Sequence, residues 1–253
     1  ISSIASFILH PVAFGRKHSN AKGHQTMNTS MRDPFFIIGN PRSGTSMFRL
    51  MLTCNPDIVV PPECGFAIWL SSKHNSEPGN FPAHWDSFAH DVIGCRKFET
   101  WDLSFDAILA EIQLLSPKCY ADACKSVYAA YARKMGKPTA YIGNKNNYYL
   151  RHVTELKSLF PHARFLHIVR DGRDVACSYK ALHQKDFAGE YAPDFPHEVP
   201  EIAKEWAENL ATISRGLRDF PKRDVYELRY CDLVSSPKDV LEQICSFLEV
   251  DYD

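Results

Sequence analysis

No stretch of the chain reaches the roughly 18 consecutive apolar residues that a membrane-crossing helix needs. The nearest, residues 1–15, is broken by His10 and Pro11 and has no basic start, which also makes it a poor secretory signal. Neither sign of charge is in excess. Against 29 Lys and Arg stand 30 Asp and Glu, so there is no global basic field to gather nucleic acid, and a polyanionic ligand must be held by a local cluster. Metal-ligand spacing is missing as well. Eight cysteines (54, 64, 95, 119, 124, 177, 231 and 245) are scattered, with no CxxC pair and no Cys/His set at zinc spacing. They read as reduced thiols of the core, with Cys119 and Cys124 the first pair to check for a disulfide. Internal repeats and low-complexity tracts are absent too. The first residue is Ile rather than Met, so the expected compartment is the cytoplasm if nothing precedes it and the secretory lumen if a membrane anchor does.

What is present is 253 residues, 45% of them apolar, enough to bury one good core. Residues 1–33 read as a flexible lead-in, and one domain is expected over 34–253. It opens with Phe35-Phe36-Ile37-Ile38, a short apolar run between Pro34 and Gly39 that reads as a buried strand. A helix follows through Met47, Leu50, Met51 and Leu52 until Asn55-Pro56 stops it. Further helices are expected over 64–75, 104–115, 120–134, 148–159, 174–184, 199–219 and 237–248, with loops at 76–84 and 186–197. Strands are expected at 140–142, 164–169 and 225–228. Strands alternating with helices predict a three-layer α/β/α domain with a mostly parallel central sheet. Such sheets bind ligands beyond the carboxyl ends of their strands, which singles out the turns at 39–46 and 170–174.

The first turn, Gly39-Asn40-Pro41-Arg42-Ser43-Gly44-Thr45-Ser46, has the glycine spacing of a phosphate-binding P-loop, with Ser46 at its Ser/Thr position. Thr45 stands where the P-loop lysine belongs, which disfavours an ATP or GTP hydrolase. The loop keeps backbone N–H groups and a helix N-terminus for an anion, and Arg42 adds a guanidinium fork. In the second turn, Val169-Arg170-Asp171-Gly172-Arg173-Asp174, Arg170 ends a strand and Ser178 lies on the helix that follows, so the two can bind a second phosphate. Arg173 and Asp174 read as a local ion pair that sets the turn.

Pro41 to Ser46 resembles the 5′-phosphosulfate loop of sulfotransferases, and Val169 through Ser178 resembles their 3′-phosphate motif. Within that family the chain is most similar to the branch of tyrosylprotein sulfotransferases and their bacterial relatives. Arg42 stands in the loop, Glu63 follows in Pro62-Glu63-Cys64 where that branch has its catalytic glutamate, and Gly143-Asn144-Lys145 matches its Asn-Lys signature. Tyr230 matches a tyrosine near the cofactor. Gly65 and Asn146-Asn147 depart from the protein-tyrosine enzymes, which have an arginine and Asp-Pro there. The family also continues past the position of Asp253, so the chain is expected to be truncated at its C-terminus.

The resemblance implies a sulfuryl donor, 3′-phosphoadenosine-5′-phosphosulfate (PAPS), no metal, and a hydroxyl acceptor that is a small molecule, sugar, lipid or peptide tyrosine. It implies Glu63 as general base, with Arg42 and Lys145 stabilising the leaving group. Arg42, Ser43, Gly44, Thr45, Ser46, Arg170, Ser178 and Tyr230 are then the cofactor contacts. Outside the family pattern Glu63 reads as a solvated turn residue and Lys145 as a surface lysine. His167 reads as a core histidine, and His84, His90 and His152 as weaker bases. Trp69, Trp85, Trp101 and Phe105 read as core more than as an acceptor pocket. Two alternatives stand: a module that binds PAPS or 3′,5′-ADP without turnover, and a P-loop kinase. Oligomeric state is open, a homodimer included.

Overall fold

The computed structural model describes residues 31–75, 85–183, 191 and 195–252. The expected loop at 76–84, most of that at 186–197, and the lead-in up to Ser30 lie outside them. Within the lead-in range, Arg32 donates to Leu248 O (3.2 Å) and Asp33 accepts from Lys125 (3.3 Å).

The chain runs β1 (Phe35–Gly39), α1 (Thr45–Thr53), β2 (Ile58–Val59), α2 (Phe66–Trp69), α3 (Ser71–His74) and α4 (Trp85–Ile93). Next come α5 (Phe105–Leu115), α6 (Tyr120–Lys134), β3 (Tyr141–Lys145), α7 (Val153–Leu159), β4 (Phe165–Val169) and α8 (Gly172–His183). The last are α9 (Val199–Leu217), β5 (Val225–Arg229), α10 (Tyr230–Ser235) and α11 (Pro237–Leu248). Five strands form one sheet in the order β2-β3-β1-β4-β5, every pair parallel. From β1 the chain leaves toward β2 on one side, and from β4 it leaves toward β5 on the other. The crevice at the carboxyl ends of β1 and β4 is therefore the topological switch point.

Period-two alternation divides the strand side chains between two cores. Phe36, Ile38, Ile142 and Phe165 pack on one face with Phe66 of α2, Phe88 of α4, Ile108 of α5, Tyr128 of α6 and Ile213 of α9. Phe35, Ile37, Leu166, Ile168 and Leu228 pack on the other with Phe48 of α1 and Ile244 and Leu248 of α11. That is the expected three-layer arrangement.

Several elements differ from the sequence reading. The expected helix over 64–75 is two short ones meeting at Leu70, and that over 148–159 is a 3-10 turn (Asn147–Arg151) followed by α7. Two-residue β2 and six-residue α10 are too short to show a period, and α4 buries only Phe88, Ala89 and Val92. β3 runs on to Lys145, because Asn144 and Lys145 pair with Phe36 and Ile37 of β1 despite their polarity. The cysteines also need correcting. All eight are free, Cys119 and Cys124 included, but only Cys64, Cys124 and Cys245 are buried. Cys54, Cys119, Cys177 and Cys231 are exposed, since their positions fall on the outward faces of their helices or at helix ends. No described helix is long and apolar enough to cross a membrane.

Candidate active site

At the end of β1 the backbone turns sharply. Arg42 and Gly44 both take left-handed conformations (φ 66° and 90°), and α1 then presents its first N–H groups to the crevice. Gly44 is required twice over: its φ suits glycine, and a Cβ there would lie 2.6 Å from the ring of Tyr230. Gly39 lets β4 come close, since a Cβ would sit 2.9 Å from Ile168 O. Arg42 Nε donates to Ser178 Oγ on α8 at 3.0 Å, and an Arg170 guanidinium N–H donates to Arg42 O at 3.0 Å. The Arg170 guanidinium also lies over the Tyr230 ring, 4.3 Å from its centroid. Arg42, Gly44, Arg170, Ser178 and Tyr230 thus form one cluster from four elements, held to a common geometry by direct contacts.

Helix α9 buttresses both turns from behind. Asn209 donates to Asn40 Oδ1 (2.8 Å), while Asn40 donates to Pro41 O (2.7 Å). Trp206 Nε1 donates to Arg170 O (3.1 Å), and its ring packs on Gly172. Arg173 pairs with Asp171 (2.7 Å) rather than with Asp174, because a two-residue reach around the tight turn gives it a bidentate fit; Asp174 lies 3.8 Å from Arg170 Nε.

A second group adjoins the first. Glu63 follows β2 and lies between two ammonium groups: Lys145 contacts one oxygen, and Lys97 Nζ is 2.9 Å from the other. Lys145, buried at the end of β3, also reaches Ser46 Oγ (3.3 Å) and so ties the P-loop to Glu63. Burial pushes the Glu63 carboxyl up, but Lys145 and Lys97 together outweigh it and hold the group below the ordinary carboxylate value. Burial lowers Lys145 below the ordinary lysine value, with Glu63 opposing in part. Lys145 is therefore not the surface lysine its sequence context alone suggests. Trp69 packs over Gly65, where a Cβ would lie 2.5 Å from its ring. Its edge meets Tyr148 (5.9 Å), which stacks on His152 (4.2 Å), so an aromatic wall is built from Trp69, which covers Gly65 two residues past Glu63, and from Tyr148, three residues past Lys145.

The remaining candidates fall elsewhere. The side chain of Thr45 is buried and turned toward Gly39, leaving its backbone for the crevice. His167 is buried on β4 and pairs with Glu227 (3.0 Å), as a core histidine does. His152 pairs with Glu155 (2.9 Å), His90 stacks on Phe105 (4.3 Å), and His84 lies outside the described residues. Trp101 is buried in the core, and Trp85 packs on Phe88. Lys97, Trp206 and Asn209 were not anticipated. Lys97 sits in a left-handed conformation (φ 68°) ahead of a 3-10 turn, outside any periodic pattern.

Two polar atoms of the cluster, Ser43 Oγ and Arg170 Nε, are buried with no hydrogen-bond partner among the described residues. Orphaned donors beside left-handed loop backbone and a helix N-terminus fit an anionic nucleotide such as PAPS. No group of three or more His, Cys, Asp or Glu that could hold a metal occurs among the described residues.

Residues 34–253 match the sulfotransferase family. Protein-tyrosine sulfotransferase 1 of Rattus norvegicus is 29% identical over 173 residues, 65% of this chain and 38% of that protein. The protein-tyrosine sulfotransferase of Drosophila melanogaster is 26% identical over 218 residues, 86% of this chain and 38% of that protein. The chain thus spans well under half the length of these two relatives. Among solved structures, the sulfotransferase domain from the curacin biosynthetic pathway superposes with a TM-score of 0.58 at 21% identity, over 89% of this chain and 76% of that one.

Proposed function

The chain belongs to the sulfotransferase family, and from that premise we propose that it moves a sulfuryl group from PAPS to an acceptor hydroxyl, giving a sulfate ester and 3′,5′-ADP. The observation that carries this reading is the union of two anion-binding turns with a buried Lys145–Glu63 pair, Lys145 reaching back to Ser46 of the loop.

When bound, PAPS supplies the activated sulfuryl group. Arg170 and Ser178 hold its 3′-phosphate, with Tyr230 fixing the guanidinium plane from the other side. Arg42, Ser43 and the first N–H groups of α1 would hold the 5′-phosphate and would stabilise the negative charge of a leaving group there. Lys145 supplies the balancing positive charge beside them. Glu63, kept ionised, accepts the proton of the attacking hydroxyl. While Lys145 leans on Glu63, that carboxylate is a weak base. Were Lys145 to turn toward the donor, Glu63 would lose one of its two ammonium partners, and its proton affinity would rise. The wall of Trp69, Tyr148 and His152 suits the apolar face of a ring-bearing alcohol or phenol.

The test is calorimetric titration with 3′,5′-ADP without magnesium, with 5′-AMP and ATP as controls. Tight 3′,5′-ADP binding that Arg170→Ala abolishes, with weak binding of both controls, supports the cofactor assignment. Equal binding of all three nucleotides removes the 3′-phosphate site. Binding without transfer from PAPS to any of a panel of phenols, sugars, sterols and tyrosine peptides makes the domain a binding module instead.

A further inference from the structure

The segment between two-residue β2 and α2 is neither strand nor helix, and Pro61 and Pro62 bring it no N–H of their own. Carbonyls in such a segment need donors from elsewhere in the fold. The two that flank Glu63 have them. Trp101 Nε1 donates to Pro62 O (3.0 Å), and the Tyr149 hydroxyl donates to Cys64 O (3.2 Å). Both rings are buried. Trp101 ends the 3-10 turn Phe98–Trp101, which Lys97 precedes, and Tyr149 lies in the turn that follows Lys145 and β3. Each of these two stretches of chain therefore brings two groups to one segment: an ammonium for the Glu63 carboxylate and a ring donor for a carbonyl beside it. We propose that Trp101 and Tyr149 are positioning residues of the transfer site, which hold the backbone on either side of Glu63 so that its carboxylate stays between Lys145 and Lys97.

Packing fixes both donors in turn. Trp101 stacks on Phe98 (5.1 Å) and Tyr128 (5.9 Å), and Tyr149 meets Phe36 of β1 edge-on (5.6 Å). The Tyr128 hydroxyl accepts from Asn144 Nδ2 (2.7 Å), one residue before Lys145. A carboxylate on a segment held from both sides needs little reorganisation at the moment of reaction. Cys64 is fully buried, so removing the Tyr149 hydroxyl leaves its carbonyl without that donor. The segment then shifts to recover a partner and takes Glu63 with it.

The role given to Glu63 rests on the function proposed above, whereas its placement is a property of the chain without ligand. The charged groups around Glu63 are Lys145 of β3, Lys97 ahead of its turn, and Arg49 of α1, which donates to Val60 O (2.9 Å). The two lysines hold the carboxyl below 4.5, so a Glu63 displaced from them titrates at higher pH. For the reaction, a misplacement of ~1 Å at a reacting group can cost about 100-fold in rate. The phosphate-binding turns lie on other elements and keep their affinity.

The whole chain is isotope-labelled at its glutamate side-chain carboxyls and followed by NMR through a pH titration without nucleotide. The Glu63 resonance is the one that Glu63→Gln lacks. In Tyr149→Phe, which deletes the hydroxyl and keeps the ring, its titration midpoint is expected to rise. Tyr120→Phe is the comparison. Its hydroxyl donates to Phe66 O (3.2 Å) and Ala67 O (3.0 Å) on α2, beyond Gly65, and its loss is expected to leave the midpoint in place. A midpoint unmoved in Tyr149→Phe, or moved as far by Tyr120→Phe, overturns the proposal. If Tyr149→Phe does not fold, Trp101→Phe removes the other donor and is judged in the same way. In transfer from PAPS to a phenol, Tyr149→Phe is expected to lose about tenfold or more in kcat, with KM for PAPS and 3′,5′-ADP affinity unchanged. An equal loss in Tyr120→Phe reduces the role to stability alone and overturns the proposal. Absence of turnover in the unaltered chain refutes the function proposed above instead, and leaves the carboxyl titration to decide the positioning.

Discussion

Glu63 has to remain ionised among buried neighbours, and the two lysines beside it set the pH at which it stops doing so. Its carboxyl lies below the ordinary value of 4.5, so the stabilisation it gives is complete above that value and is lost as pH falls through the lowered one. The acid limb of kcat/KM in a pH–rate profile is expected below pH 4.5. Lys97→Met removes one cation and moves that limb to higher pH, with little effect on 3′,5′-ADP affinity. In the proposed transfer Lys145 must stay protonated to offset leaving-group charge, and burial lowers it from 10.5, so the alkaline limb is expected below that value. Glu63→Gln keeps the shape and removes the proposed base. It is expected to lower kcat by about 100- to 10,000-fold while 3′,5′-ADP still binds in calorimetry. Retained turnover in that variant would assign the base elsewhere.

Elements matter here through what they press against the two turns. The β1–α1 turn has two left-handed positions, Arg42 and Gly44, one residue apart, and the second is filled by the only residue type that also leaves room for Tyr230. Gly44→Ala therefore forces strained backbone, costing about 1–2 kcal/mol, and moves the tyrosine out from under Arg170. A large loss of 3′,5′-ADP affinity is expected, with the thermal transition only modestly lowered. The long helix α9 acts at a distance. Asn209→Ala leaves Asn40 Oδ1 buried without its donor, at a cost of about 1–3 kcal/mol. In calorimetry that lowers Tm by about 2–4 °C per kcal/mol in a domain of this size. An unchanged Tm would mean that the loop finds another donor.

At the scale of the whole molecule, the proposed cofactor site links binding to folding. The two turns lie on opposite sides of the β1/β4 switch point, so a ligand that spans them joins the P-loop side of the sheet to the β5 side. A 3′,5′-ADP concentration about 100-fold above Kd is expected to stabilise the fold by about 2.7 kcal/mol, or about 5–10 °C in Tm. Magnesium should leave both the shift and the turnover unaltered. A shift that appears only with magnesium would favour the kinase reading.

Strands β1 and β4, the turns behind them and the parallel α/β architecture were legible because each is a local matter. An apolar run between Pro and Gly, a glycine spacing, and an arginine at a strand end do not depend on distant contacts. The resemblance carried by Pro41–Ser46, Glu63, Asn144-Lys145 and Arg170–Ser178 added the family. What lay beyond reach were contacts between residues far apart in the chain. Lys97 on Glu63, Asn209 on Asn40 and Tyr230 over Gly44 join segments whose separation no periodicity encodes. Short β2, α4 and α10 escaped for a related reason, since two to nine residues hold too little pattern to outweigh their neighbours. Chain chemistry alone thus determined which groups are present and which turns have the make-up of anion-binding loops. Tertiary packing decided which of those groups meet, because burial and charge pairing shift Glu63 and Lys145 only once the sheet has brought them together.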